Sequence, residues 1–303
     1  MAADTRTLVV LQGPTAIGKT ALAIEWAQRL DTHILSADSR QFFREMAIGT
    51  AKPTPEELSQ APHHFVDCIS VTEEYSAGQY ERDVLAKLAS LFPDHPAVIL
   101  AGGSGLYAQA VTQGLDDMPA DMDIRAELMH TLETKGLAVL QARLQELDPA
   151  HHDRMDLNNP QRLVRALEVC LATGEPYSSY RNKAAAPRPF RVIKIALDAD
   201  RDWIYERINR RVDLMLEAGL IEEVERLQPH WHLNALKTVG YREFFPYFEG
   251  TCSLEEAVEA LKMNTRRFAK KQLTWLRRDP ENQWFDMSAP EAIYPWLAEQ
   301  LGL

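Results

Sequence analysis

The chain has 303 residues, 46% apolar and 25% charged, a balance that excludes a disordered or fibrous protein and leaves room for one large domain or a domain carrying an insert. Its net charge of −11 excludes a phosphate-binding surface spread over the whole protein. It does not exclude a local basic groove, because basic residues gather at Arg162 and Arg165, at 181–194 and at 266–278, while 217–225 is acidic.

In chain order, the apolar run Leu8-Val9-Val10-Leu11 predicts a strand, followed by a glycine loop and a helix over 19–30. That run is far too short to span a bilayer, so a cytoplasmic protein without a membrane partner is expected. Strands over 33–37, 65–69 and 97–101, with a helix over 79–91, continue a strand–helix alternation. This is the signature of a parallel sheet with helices on its faces. After about Asp116 the pattern turns helical over 121–172, with breaks at Pro149 and Pro160, and a loose segment follows through 184–189. A strand over 191–197 returns the chain to the sheet, and the remainder reads as mostly helical, over 202–218, 221–227 and 254–276. The expected fold is α/β: a P-loop parallel sheet flanked by helices, formed by 1–117 and 187–303, with a mainly helical insert over 118–186.

Cys68, Cys170 and Cys252 are far apart and form no CxxC pair, so neither a disulfide framework nor a zinc site is expected, only small buried or half-buried side chains. His63-His64 and His151-His152 read as ordinary polar or capping residues.

Residues Gly13, Pro14, Thr15, Ala16, Ile17, Gly18, Lys19 and Thr20 match G-x-x-x-x-G-K-[ST] between a predicted strand and a predicted helix. Glycines let backbone N–H groups curl around phosphate oxygens, and the helix start adds partial positive charge. Lys19 supplies a full charge, and the Thr20 hydroxyl suits Mg²⁺. The loop recognises linked phosphates, so ATP, GTP and an organic diphosphate all remain open. Asp38 follows the second strand, where ligands sit in open α/β sheets. From position alone it is equally a helix cap or an acid–base group. Ile48-Gly49-Thr50-Ala51-Lys52-Pro53 adds a weak signal for further substrate contacts.

Together with GPTAIGKTALA (13–23), the stretches SADSRQFFREMAIGTAKP (36–53), AGGSGLY (101–107), NNPQRLVRALEV (158–169), RINRRVDLMLEAGLIEEV (207–224), TVGYREFF (238–245) and KKQLTWLRRD (270–279) give the chain a specific likeness. It resembles the bacterial tRNA dimethylallyltransferases, also called tRNA isopentenyltransferases, over almost its whole length. Ser104 stands where that family more often has Thr, and no Cys/His cluster like the zinc-finger tail of eukaryotic members is present.

The resemblance implies transfer of a dimethylallyl group from dimethylallyl diphosphate to N6 of the adenine 3′ of the anticodon, in tRNAs reading U-initial codons. It implies Asp38 as general base, with the P-loop, Mg²⁺ on Thr20, and Arg211 on the leaving diphosphate. Arg207 and Arg211, four apart, should share a helix face. Implied tRNA contacts are Asp38, Ser39, Arg40, Gln41, Ser104, Arg125, Gln161, Arg162, Leu163, Val164, Arg165, Thr238, Val239, Gly240, Tyr241, Arg242, Glu243, Lys270, Lys271 and Arg277. Leu261, Phe268, Leu273, Leu276 and Trp275 read as packing, with base stacking the lesser option for Trp275. A monomer is expected. A P-loop kinase of a small metabolite explains residues 8–110 equally well but not the later basic segments. A non-catalytic, nucleotide-switched RNA binder would need neither Asp38 nor Arg211.

Overall fold

The computed structural model describes residues 6–115, 118–180 and 187–303. The basic residues at 181–186 and the pattern change at Asp116 lie outside the described residues. The chain forms two compact units, Met1–Gln113 with Arg188–Leu303, and Gly114–Pro187.

In the larger unit, β1 (Thr7–Gln12) is buried at all 6 positions. It lies between β4 (Ala97–Gly102) and β5 (Arg191–Asp198), with Val9 opposite both Ile99 and Ile193. Outside these run β2 (Ile34–Ser36), β3 (His63–His64) and β6 (Gln283–Asp286). The order is β3-β2-β4-β1-β5-β6, with every pair parallel.

Strand side chains alternate between faces. Leu8, Val10, Val98 and Leu100 pack with Tyr80, Val84 and Leu88 of α3 (Ala77–Leu91) and with Ala108 and Val111 of α4 (Gly105–Gln113). Val9, Leu11, Ile99 and Ile195 pack on the other face with Trp26 of α1 (Lys19–Arg29). Ile204 and Ile208 of α10 (Arg201–Glu217) and Leu297 of α14 (Ile293–Leu301) join them. Each such Leu, Ile or Val contributes about 1.5–3 kcal/mol by leaving water. A third cluster joins Phe43, Met46, Tyr241 and Phe244 to α11 (Leu220–Arg226) and to α13 (Leu254–Leu276). A Ser253–Glu256 capping box starts α13. Short α2 (Pro55–Leu58) and α12 (Phe245–Phe248) complete this unit.

The smaller unit holds α5 (Met122–Lys135), α6 (Leu137–Leu147), α7 (Pro149–His152), α8 (Pro160–Thr173) and α9 (Tyr177–Tyr180). Leu128, Leu140, Leu144, Leu163, Val164 and Leu167 are its core. Both predicted proline breaks open helices: Pro149 and Pro160 stand at first positions, behind the capping side chains of Asp148 and Asn159.

Two expectations need correction. The third strand is only His63–His64, because Phe65 and Asp67 turn to φ of 61° and 53°; Ile69 keeps a lone bridge to Phe43. That turn also leaves Cys68 exposed rather than buried. The remainder is mostly helical, as expected, and adds one strand, β6, at the sheet edge; its 4 residues carry no alternating pattern. Among the described residues, no helix is long and apolar enough to cross a membrane.

Candidate active site

Residues 13–20 link the end of β1 to the start of α1. Two residues of the loop are left-handed, Gly18 at φ 108° and Ala16 at φ 66°. Glycine takes this conformation freely, whereas alanine must be held there. Arg207 supplies a hold: its Nε donates to the Ala16 carbonyl at 2.7 Å, while its guanidinium lies 4.6 Å from the Trp203 ring centre. One helical turn on, Arg211 donates from Nη1 to the Thr15 hydroxyl at 3.2 Å. The two arginines therefore address adjacent P-loop residues.

The loop lines a cavity of about 840 Å³ that also receives Thr20, Asp38, Ser104, Arg207, Arg211, Lys271 and Trp275. Lys19 Nζ donates to the Gly13 and Pro14 carbonyls at 3.0 and 2.8 Å. Burial, reinforced by the nearby Arg211 charge and opposed by Asp38, lowers the Lys19 pKa to about 7. Burial also raises the Asp38 carboxyl above its ordinary value, against the Arg40 N–H and the Lys19 charge. Asp38 Oδ1 accepts from Arg40 N at 3.0 Å, so the carboxylate both shapes its turn and faces the cavity. A raised carboxylate is a stronger base than one in water.

Asp38 is fixed from the β4 side. A Cβ on Gly102 would fall on the Ala37 carbonyl, so only glycine allows this approach. Ser104 N donates to Ala37 O at 3.1 Å, and the Ser104 hydroxyl accepts from Ser39 N at 2.9 Å. Gln272 of α13, 8% exposed, accepts from Thr15 N at 2.8 Å and donates to Gly103 O at 3.0 Å. Sequence reading passed over Gln272; of the residues read as packing on this helix, Leu261 and Leu276 are buried, whereas Phe268 is not. Trp275 lines the cavity against Gly105, and Phe268, read as packing, is 42% exposed at the cavity wall.

Other expected residues take local partners. The Arg40 Nη1 donates to the Asn234 and Ala235 carbonyls, both at 3.2 Å, and Gln41 Nε2 to Ala51 O at 3.1 Å. Lys52 is turned to Phe43 O at 2.8 Å and pairs with Asp67. Thr238, Val239 and Gly240 line the cavity, but Tyr241 and Glu243 are buried. Glu243 accepts from Gly240 N at 3.1 Å and from Asn264 Nδ2 at 2.9 Å, while Arg242 is exposed beside it. Lys270, Lys271 and Arg277 are exposed, and Arg277 pairs with Asp198 at 2.9 Å.

A second carboxylate the sequence hid is Glu223, placed in an acidic run yet 2% exposed. It accepts from Ala47 N, Ile48 N and Gly49 N at 3.0–3.2 Å and from the Tyr241 hydroxyl at 2.7 Å. It thereby shapes the loop leading into 50–53.

In the smaller unit Leu163 and Val164 are fully buried, so their side chains belong to the core rather than to a surface. Arg125 and Arg165 both reach Glu168, which is 1% exposed, at 3.3 and 3.1 Å. Arg125 also meets Gln161 at 3.3 Å, and Arg165 donates to the Met118 and Pro119 carbonyls at 3.0 Å. Arg162 is exposed.

Among the described residues no group of three or more His, Cys, Asp or Glu is placed to hold a metal ion. Among the residues lining the cavity, Thr20 and Asp38 carry oxygen donors of the kind Mg²⁺ takes alongside substrate phosphates.

Fold and cavity define a class, the P-loop α/β enzymes. Residues 41–279 match the family model described as IPP transferase. The chain is 52% identical to a tRNA dimethylallyltransferase of Christiangramia forsetii over 280 residues, covering 92% of this chain and 93% of that one. It is 50% identical over 302 residues to another from Flavobacterium johnsoniae, covering 97% and 98%. A crystal structure of the tRNA isopentenylpyrophosphate transferase of Bacillus halodurans superimposes with a TM-score of 0.72 at 36% identity, covering 98% and 97%. The chain belongs to the IPP transferase family of prenyl-transferring enzymes.

Proposed function

We propose that this enzyme transfers a dimethylallyl group from dimethylallyl diphosphate to N6 of the adenine 3′ of the anticodon, in tRNAs reading U-initial codons. The observation that carries the reading is the sharing of one cavity by Lys19, Arg211 and a carboxylate of raised pKa, Asp38. The relatives named tRNA dimethylallyltransferase support the substrate pair.

The C1–O bond of the allylic diphosphate breaks and its electron pair leaves with the diphosphate. The N6 lone pair forms the new C–N bond, and its proton passes to Asp38. N6 is a poor nucleophile because its lone pair is delocalised into the ring, so proton removal as the bond forms lowers the barrier. Backbone N–H groups of the P-loop, the Lys19 ammonium and Arg211 stabilise the charge gathering on the leaving group. Thr20 would hold Mg²⁺, which when bound supplies further charge neutralisation on the diphosphate oxygens. The adenine leaves its stack to reach the cavity, as for other enzymes acting on a base. The insert, with exposed Arg162, and the exposed Lys270 and Lys271 serve the tRNA backbone. The enzyme works as a cytoplasmic monomer.

The test is mass spectrometry of tRNA nucleosides after incubation with the protein, Mg²⁺ and dimethylallyl diphosphate. N6-dimethylallyladenosine is expected. Its absence, with turnover of radiolabelled ATP instead, would replace this reading by the kinase one.

A further inference from the structure

The leaving-group half and the base half of the cavity come from different parts of the sheet. Thr15, Lys19 and Thr20 follow β1; Asp38 follows β2, and its neighbours Ala37 and Ser39 are both held by Ser104 after β4. The Gln272 side chain spans the two halves. Gln272 accepts from the Thr15 amide at 2.8 Å and donates to the Gly103 carbonyl at 3.0 Å. From Gly103 the path continues through the Ser104 hydroxyl, at 2.9 Å from Ser39 N, to the residue beside Asp38. On the other side Thr15 also carries Arg211 on its hydroxyl at 3.2 Å.

We propose that Gln272 is a positioning residue for prenyl transfer, setting the separation between the diphosphate half of the site and Asp38. This rests on the prenyl-transfer reading above. A carboxamide suits the task because it alone offers an acceptor and a donor side by side at this length. Glutamate keeps the acceptor but turns a lone pair towards Gly103 O, and methionine keeps the volume with no hydrogen-bond donor. One consequence is that the Thr15 amide, already committed to Gln272, is not among the N–H groups that cradle the diphosphate. A second is that displacement of either half slows chemistry without emptying either binding site, because orientation and affinity are separate contributions.

The test compares wild type, Q272M, Q272E and D38N, each as the full chain, by single-turnover nucleoside mass spectrometry. Affinity for inorganic diphosphate and for tRNA and the melting temperature are measured alongside. Q272M and Q272E should each slow the chemical step by about 10²-fold, the scale of a 1 Å misplacement. Affinity for both ligands should stay within about twofold, so the loss falls on kcat rather than KM. In the D38N background Q272M should cost at most about threefold more, because both changes remove the same proton transfer. Q272M at the wild-type rate overturns the proposal. So does a full multiplication of its loss with that of D38N, or a parallel fall in melting temperature and both affinities, which would make Gln272 a purely structural tie. A wild-type protein that makes no prenylated adenosine sinks the functional reading itself, and this inference with it, before any variant is compared.

Discussion

Arg211 reaches across 196 residues of sequence to donate to the Thr15 hydroxyl at 3.2 Å, so α10 brings a guanidinium to the phosphate loop itself. Lys19, whose pKa the Arg211 charge helps to lower, faces the same cavity. If both stabilise the same leaving group, K19A and R211A should be non-additive. The double mutant should lose clearly less free energy than the two singles summed, in kcat/KM for dimethylallyl diphosphate. R211K should restore only part of the loss, because an ammonium cannot reproduce a bidentate guanidinium. Full additivity with unaltered diphosphate affinity in each single would remove Arg211 from the leaving group.

Asp38→Asn retains the acceptor oxygen for Arg40 N and therefore the turn. It removes the base. Single-turnover prenyl transfer should slow by about 10²-fold or more, with diphosphate and tRNA affinity nearly unchanged. A variant as fast as wild type would leave Asp38 with only its capping role.

β1 and β4 were legible because they are apolar runs that end at glycine, and the P-loop because its spacing is dictated by phosphate geometry; β3 and β6, of 2 and 4 residues with no apolar run, were not. Gln272 was not legible: a lone glutamine in a basic, amphipathic helix carries no pattern, and its partners Thr15 and Gly103 lie more than 160 residues away. Glu223 looked like one more acid on a solvated helix. Only the fold shows that three backbone N–H groups and a tyrosine surround it. Leu163 and Val164 read as surface within a tRNA-contact stretch, although their spacing on α8 is that of core residues. Contacts between distant segments leave no local periodicity, so they escape sequence reading even where the elements themselves are plain.

Glu223 yields a prediction of its own. Glu223→Ala would take the shared acceptor from three backbone N–H groups of a part-exposed loop and from the buried Tyr241 hydroxyl. Water reaches the loop N–H groups but not the hydroxyl, and one unsatisfied buried donor costs about 1–3 kcal/mol, so the variant should melt below wild type. Glu223→Gln keeps the shape but loses the charge and should cost less. Equal melting temperatures for Ala, Gln and wild type would contradict this arrangement.

Salt separates two arginines of the insert. Arg162 is exposed, whereas Arg165 is committed to Glu168 and to the Met118 and Pro119 carbonyls. Despite the net charge of −11, tRNA affinity should fall as salt rises. Arg162→Ala should flatten the log–log slope by about 0.7–0.9, the value of one lost phosphate contact. Arg165→Ala should lower stability and leave the slope unchanged. The reverse pattern would place the RNA-facing charge on Arg165.

The last prediction concerns pH and Lys19. Its pKa is lowered to about 7 from the ordinary 10.5, first by burial and then by Arg211. A diphosphate binds the protonated form and so raises that pKa in the complex. Below about pH 7 the ammonium is present already and affinity is insensitive to this group. As pH rises above 7 the free protein loses the proton that the complex keeps. Affinity should then fall by up to about tenfold per pH unit. The ligand's own ionisation strengthens binding over the same range and would mask the effect, so Lys19→Arg is the reference, because a guanidinium does not titrate there. The affinity of wild type relative to K19R, measured calorimetrically with inorganic diphosphate from pH 6 to 9, should be flat at first and then decline. The ligand-free protein gives the opposite sign in stability. Between about 7 and 10.5 the unfolded chain holds the Lys19 proton more firmly than the folded one, so wild type should gain stability relative to K19R as pH rises through that window. Parallel binding profiles for the two proteins would show that Lys19 is fully charged in the free site and that burial beside Arg211 does not tune it.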